Sequence, residues 1–416
     1  MAAARSSTKL RAASAWRTPI SGEALIAFVV AVSSAQRIRL PLDIPLGVAV
    51  CALLLPVSLR ALRQYRFAPA IAIVALLAIA NGVVLTELAR GWNATSTRMT
   101  TANSILLLGV IVTVIALLWV RSVIGARMMV LGFGLGMLMS VASRGINWDN
   151  PWKFTFAVPC ILIALSLPRV WGHRRAQVAV LFVLAAASAL QDSRSLTGML
   201  VVVIALLLTQ GAPRTSTSGR AALVAVRVAL VGVAGYFLVQ AALLDGALGE
   251  QARARSVTQI DRSGSLLTGG RPELGASIAL LSARPWGYGS GVLPTGEQVQ
   301  VAKRGMVALG YDPDNGYVNR YMFGNGFEVH SLTGDLWILF GLFGLAFAVV
   351  LAVAVGASLV TRLASGTASA VGAFLALRLM WDLAFSPIGS AALTLAVTLA
   401  VLLPAVGERK PRAAAP

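Results

Sequence analysis

FEVHSLTGDLWILFGLFGL, Phe327–Leu345, carries the chain out of polar sequence into an apolar run with no charged residue between Asp335 and Arg362. Crossing about 30 Å of hydrocarbon takes roughly 20 apolar residues, and this run, read as 332–359, is long enough. Its Leu, Ala, Val and Gly content shows no two-residue alternation, which indicates a helix rather than a barrel strand. On the threshold stands His330, one of only two histidines in 416 residues.

Working outward, eleven more apolar runs appear, near 20–35, 44–59, 68–88, 101–120, 122–142, 153–168, 176–190, 196–210, 221–244, 367–385 and 389–407. Hydrophobic residues make up 57% of the chain and charged residues 12%, with a mean hydropathy of +0.79. A soluble domain carries roughly 25% charged residues. The expected fold is therefore an all-α polytopic membrane protein of about twelve transmembrane helices. Nine fall in residues 1–244, a long hydrophilic loop spans 245–329, three more helices fall in 330–408, and a basic tail occupies 409–416. The first run has two readings: an uncleaved helix, or a signal peptide cleaved after Ala35. Cys51 and Cys160 lie inside apolar runs and read as small core residues, with no disulfide framework or metal spacing.

The net charge of +19 raises the question of a polyanionic partner, but its distribution argues against nucleic acid. With the N-terminus cytoplasmic, Lys and Arg gather on alternate sides: Arg5, Lys9, Arg11 and Arg17; Arg60, Arg63 and Arg66; Arg121; Arg169, Arg174 and Arg175; Arg214 and Arg220; Arg362; Arg409, Lys410 and Arg412. This is the positive-inside bias of membrane proteins, and it places the 245–329 loop outside. A loop of that length is usually functional.

The basic residues left on the outer side are then informative. Arg194 lies in the tight turn QDSRSLTG, Arg144 and Lys153 flank SRGINWDNPWK, and Arg271 opens RPELGASIALLSARPWGYGSG. One reading has them snorkel to headgroups or pair with Asp192 and Asp149, as Arg37, Arg39, Arg90 and Arg98 are expected to do. The other has them grip an anionic group, since guanidinium forks bind phosphate bidentately. After Arg271, Pro272 at the first helical position and Glu273 in the first turn predict a short helix along the membrane surface, ended by Pro285. The GYGSG that follows is a turn whose backbone can approach a ligand closely. At His330, Ser331 or Thr333 is available as N-cap of the next helix, and a neutral imidazole there can accept a proton. His173, in WGHRR, belongs to the cytoplasmic basic face.

In order, these features are SRSLTG opening a helix, a long outer loop, R…ALLSARPWGYGSG within it, and HS…GDLWILFGLFGL entering the next helix. The set resembles the O-antigen ligase and Wzy-type polymerase superfamily of bacterial membrane glycosyltransferases. The resemblance runs from SRGINWDNPW to the C-terminus and is clearest over Ser193–Leu345. It implies a GT-C-like fold in the bacterial cytoplasmic membrane with an extracytoplasmic site, no cofactor and no metal. The implied donor is an undecaprenyl-pyrophosphate-linked glycan, and the acceptor is a glycan, lipid or protein. Arg194 matches the family's turn arginine, Arg271 its loop arginine, and His330 the histidine at the loop's end. Ser195 stands where the family often has glycine, Ser331 where it often has asparagine, and Val292–Asn325 matches nothing. The implied chemistry is inverting transfer. Arg194 and Arg271, helped by Lys153 or Arg144, hold the departing diphosphate, and His330 takes the acceptor proton. Asp335 and Ser331 support the histidine.

Two other readings stay open. Asp312, Asp314 and Asn315 in YDPDNGY are spaced to hold a divalent ion in a metal-dependent lipid-linked transferase, or form a polar turn. A transporter or flippase of polyprenyl-linked glycan needs ionisable groups deep in helices. Glu23, Arg127, Arg227, Arg378 and Asp382 are its candidates, the last two one helical turn apart and able to pair.

Overall fold

A computed structural model describes residues 21–40, 44–211, 220–244, 253–254, 257–258, 260 and 271–407. Both basic tails and most of 245–270 lie outside the described residues. The described chain is mostly helical, and among these residues only isolated β-bridges interrupt the helices.

In chain order come α1 (Gly22–Ser34), α2 (Leu46–Leu53), α3 (Leu55–Ser58, extended by a 3-10 turn Leu59–Gln64), α4 (Ala68–Ala89), α5 (Thr97–Met139) and α6 (Val141–Arg144). A π-helical turn Trp152–Phe156 leads into α7 (Ala157–Ser166), followed by α8 (Arg174–Leu190), α9 (Arg194–Thr209) and α10 (Arg220–Leu244). The loop supplies α11 (Glu273–Ala283), α12 (Gly296–Val307) and a π-helical turn Tyr317–Met322; α13 (Leu332–Ala364), α14 (Ala370–Phe385) and α15 (Ile388–Leu402) close the chain.

Each apolar run read from the sequence is helical, with α5 holding two of them. Three stretches, Ala68–Ala89, Thr97–Arg144 and Leu332–Ala364, are long and apolar enough to cross a membrane, and the pair Leu46–Leu53 and Leu55–Gln64, bent by 60°, makes a fourth if taken as one span. This is a membrane protein by length and composition. The other apolar helices are shorter; at 1.5 Å per residue the 16 residues of α9 measure about 24 Å.

Two glycines break long helices. Gly125, at φ 76° and ψ 164°, divides α5, and the chain is back beside the end of α8 by Asn150, whose side chain donates to Gln191 O at 2.6 Å. Gly341, at φ 63° and ψ −147°, divides α13, and such backbone is open to glycine alone. A break leaves carbonyls without their helical donors, which is costly away from water. Here they are satisfied by other segments. Ile338 O accepts from Tyr288 N and Gly289 N at 2.9 and 3.0 Å, and Phe340 O accepts from Asn81 Nδ2 at 2.8 Å.

GYGSG is the wedge that makes this possible. Ser290 N donates to Gly82 O in α4, Gly291 N donates to the Thr86 hydroxyl, and Asn103 Nδ2 donates to Ser290 O. A Cβ on Gly287 would lie 2.6 Å from Trp337 O, and one on Gly291 would lie 1.9 Å from the Thr100 hydroxyl. The expected close approach of this backbone is real, but its target is α4, α5 and α13 rather than a ligand.

The helices also define two poles. At one end of α15, Ile388 N donates to the Asp335 carboxylate. At the other, Arg121 donates to Ala400 O, Val401 O and Leu403 O at 2.9, 3.2 and 2.8 Å. A guanidinium is well suited to orphan carbonyls at a helix C-terminus. Arg174 and Arg227 do the same for α9, reaching Leu208 O and Thr209 O. Arg227, one of the candidate intramembrane charges, is thus a helix cap.

Candidate functional site

The Asp335 pole collects chemistry from segments far apart in sequence. Lys153, on the π-turn before α7, lies within electrostatic range of Arg271, Arg194 and Asp192. Arg194 Nε stands 3.2 Å from Asp192 Oδ1. Arg271 stacks its guanidinium over Trp381 and Phe385 of α14, 5.4 and 5.3 Å from the ring centroids. Among the described residues it makes neither a hydrogen bond nor an ion pair. Tyr317 feels both Arg271 and Glu273, and its ring packs against His330 at 5.4 Å. His330 and Tyr317 are thus in ring contact, and Arg271 lies within electrostatic range of both Tyr317 and Lys153.

Local sequence explains how each group is held. Ser331 caps α13, accepting from Gly334 N at 3.1 Å and donating to Leu383 O at 2.9 Å. Asp335, 1% exposed, accepts from Val329 N and Ile388 N, both at 2.9 Å. It anchors the backbone beside His330 and joins α13 to α15; it contacts neither the imidazole nor an arginine. His330 itself adopts φ 53°, and Asp192, just before Ser193 and Arg194, adopts φ 48°. Among the described residues only Phe67 shares this left-handed region without being glycine. Such conformations cost about 1–3 kcal/mol and gather at functional sites.

His330 Nε2 stands 3.8 Å from Glu328 Oε1, and its Nδ1 is buried without a hydrogen-bond partner. Burial pushes the Glu328 carboxyl up, and the neighbouring His330 pulls it partly back. The Tyr317 hydroxyl donates to Glu273 Oε1, while Glu273 Oε2 is buried and unpartnered. Burial first, then the Glu273 carboxylate, drives the Tyr317 hydroxyl upward, so it stays protonated. Tyr321 lies roughly parallel to Tyr317 with centroids 6.3 Å apart, and 5.9 Å from the imidazole.

Not every candidate joins this cluster. Arg144 is instead an electrostatic neighbour of Arg37, whose guanidinium is brought down to about 10 by burial, Arg144 and Arg39. In YDPDNGY, Lys303 Nζ sits 2.7 Å from Asp314 Oδ1, while Asp314 N donates to Asp312 Oδ1 and Asn315 Nδ2 to Asp312 O. That is a polar turn with an ammonium where the divalent ion was imagined. Among the described residues no group of three or more His, Cys, Asp or Glu is placed to hold a metal. Arg378 and Asp382 pair at 2.9 Å, and Thr394 donates to the same carboxylate, which is a structural use.

Glu273, Tyr317 and Tyr321 were not singled out by sequence. Glu273 read only as a first-turn acid. YVNRY places two tyrosines four residues apart, which is the one signal that pointed to them. No protein-family model, curated protein or solved structure matches the chain.

Proposed function

We propose that this protein is a membrane glycosyltransferase of the ligase or polymerase kind. It transfers a glycan from an undecaprenyl-pyrophosphate donor at the outer face of the bacterial cytoplasmic membrane, and its fold is a GT-C-like arrangement of about twelve spans. What supports the reading is a series of neighbours: His330 packs on Tyr317, Arg271 is an electrostatic neighbour of Tyr317 and of Lys153, and Lys153 is one of Arg194, at the pole opposite the Arg121 cap. The outward placement rests on the positive-inside bias.

In the proposed reaction the acceptor oxygen attacks the anomeric carbon from the side opposite the diphosphate. The new C–O bond forms as the bond to the phosphate oxygen breaks. The electron pair leaves on the diphosphate, and the hydroxyl proton passes to His330. Arg271 and Lys153, with Arg194 aimed by Asp192, stabilise the departing charge; preorganised cations of this kind often supply the largest catalytic contribution. General-base help of the kind assigned to His330 is worth about 10²–10⁴-fold. Ser331 and Asp335 fix the backbone that presents the imidazole.

The test is transfer by purified protein from a polyprenyl-pyrophosphate glycan. His330→Ala and Arg271→Ala are expected to lose turnover while still folding, each with a cooperative melting transition. Normal turnover in both variants defeats the proposal. Movement of the lipid without a new glycosidic bond assigns the protein to transport instead.

A further inference from the structure

Two buried polar atoms at the Tyr317 cluster lack partners: Glu273 Oε2 and His330 Nδ1. Leaving one such atom unpaired costs about 1–3 kcal/mol, and here two flank a single ring. Glu273 is nine-tenths buried and its other oxygen is already taken by Tyr317. A carboxylate oxygen accepts hydrogen bonds only, and a neutral imidazole nitrogen without its proton does likewise. The group missing at Glu273 Oε2 is therefore a donor such as a hydroxyl, and His330 Nδ1 takes a donor or an acceptor according to its tautomer.

Beside them Tyr321 is 66% exposed while its ring stays against Tyr317 and His330. A ring so displayed, with hydrogen-bonding atoms at its edge, matches a ligand that has an apolar C–H face and polar rim. That is the chemistry of a pyranose. Close by, a cleft of about 480 Å³ runs along α12 and the 310–314 turn, lined by Gln300, Lys303, Arg304, Tyr311, Asp312 and Asp314. Its volume is within the roughly 300–1,000 Å³ of small-molecule sites. Val307 and Pro313 add apolar surface to this amide, carboxylate, cation and phenol lining, and a mixed lining of that kind suits a sugar chain with its C–H faces and hydroxyl rims. Tyr311 is an electrostatic neighbour of Tyr317, so the cleft and the ring cluster adjoin. The two helices that frame them are locked by a glycine crossing: a Cβ on Gly275 would lie 2.1 Å from Gly305 O, and the reverse.

We infer that Tyr321, Tyr317 and Glu273 form a saccharide subsite, with the terminal sugar of the acceptor on the Tyr321 ring and its preceding units in the 300–314 cleft. This deepens the transferase reading by making the acceptor a glycan, but saccharide binding does not depend on transfer. The lipid interface is the competing environment for an exposed tyrosine.

The experiment is saturation-transfer NMR on the full chain in lipid nanodiscs. The probes are methyl glycosides of glucose, galactose, mannose, rhamnose and N-acetylglucosamine, and the matching trisaccharides. Ring-proton saturation of at least one glycoside is expected with wild type and with Tyr321→Phe, falling to the empty-nanodisc level in Tyr321→Ala. The trisaccharide is expected to bind more tightly than the monosaccharide, an advantage lost in Tyr311→Ala. Tyr321 is exposed, so its substitution leaves the fold intact, checked by an unchanged melting temperature. Saturation that is absent for every glycoside, or identical in Tyr321→Ala, overturns the inference, as does quenching of Tyr321 by lipids with brominated chains. Sugar binding that survives while Arg194→Ala and Arg271→Ala capture undecaprenyl pyrophosphate as wild type does leaves the subsite standing and removes the transferase reading.

Discussion

His330 holds a backbone conformation that few side chains adopt, φ 53°, and asparagine is one of the residues that tolerate it. His330→Asn is therefore expected to fold with a stability within about 1 kcal/mol of wild type while turnover drops by about 10²-fold or more; paired thermal melts and transfer rates check this. Arg271→Lys keeps the charge but loses the fork and the stack on Trp381 and Phe385. An ammonium cannot grip a phosphate bidentately as the fork does, so the donor KM is expected to rise by roughly tenfold, which is about 1.4 kcal/mol. Glu328 gives a pH signature. Its carboxyl lies above the ordinary 4.5 when folded, so the native state binds the proton more readily than the unfolded chain. Its stabilising contribution is complete below that ordinary value and is lost as pH rises through the folded one. Relative to Glu328→Gln, wild type is expected to lose melting temperature as pH is raised above the ordinary carboxyl value of 4.5. At this scale the sequence was legible where a charge broke a pattern: Arg194, Arg271 and Lys153 stood out against the positive-inside bias, and His330 stood out by rarity. Tyr317, Tyr321 and Glu273 broke no pattern, since a loop holds aromatics and acids for many reasons and only the fold brings these three together.

Among the elements, α13 shows most clearly what sequence period conveys and what it omits. The apolar run announced a helix, but the break at Gly341 and the wedge from residues 287–291 depend on partners distant in sequence. A glycine in an apolar run marks neither a kink nor the loop that fills it. Gly341→Ala forces an L side chain to φ 63°, with its Cβ 2.5 Å from Asn81 Nδ2 and 2.6 Å from Trp286 O. It is expected to destabilise by about 2 kcal/mol or more. Gly356→Ala, in the same helix with nothing within 4 Å, is expected to be neutral or to stabilise by up to about 1 kcal/mol. Melting in detergent separates the two; equal effects contradict the assigned role of the break.

For the molecule as a whole, α15 spans two poles, with Asp335 at one end and Arg121 at the other. The proposed topology puts the exposed Arg320 outside and the exposed Arg63 inside. In intact cells a membrane-impermeant maleimide is expected to label Arg320→Cys and to spare Arg63→Cys until the membrane is opened; the reverse pattern inverts the protein. Helix type and helix positions were readable because lipid imposes a simple rule on apolar runs. A meeting of residues 153, 194, 271 and 330 was expected from the resemblance alone, and the place of Tyr317 among them was not readable, because it depends on how helices pack. That meeting is the central claim, and a double-mutant cycle on transfer rate tests it most directly. If His330 and Arg271 serve one transition state, the His330→Ala/Arg271→Ala enzyme should be little slower than the slower single variant, as groups acting as a unit are strongly non-additive. Losses that multiply as for independent sites, or turnover undiminished in the single variants, contradict it.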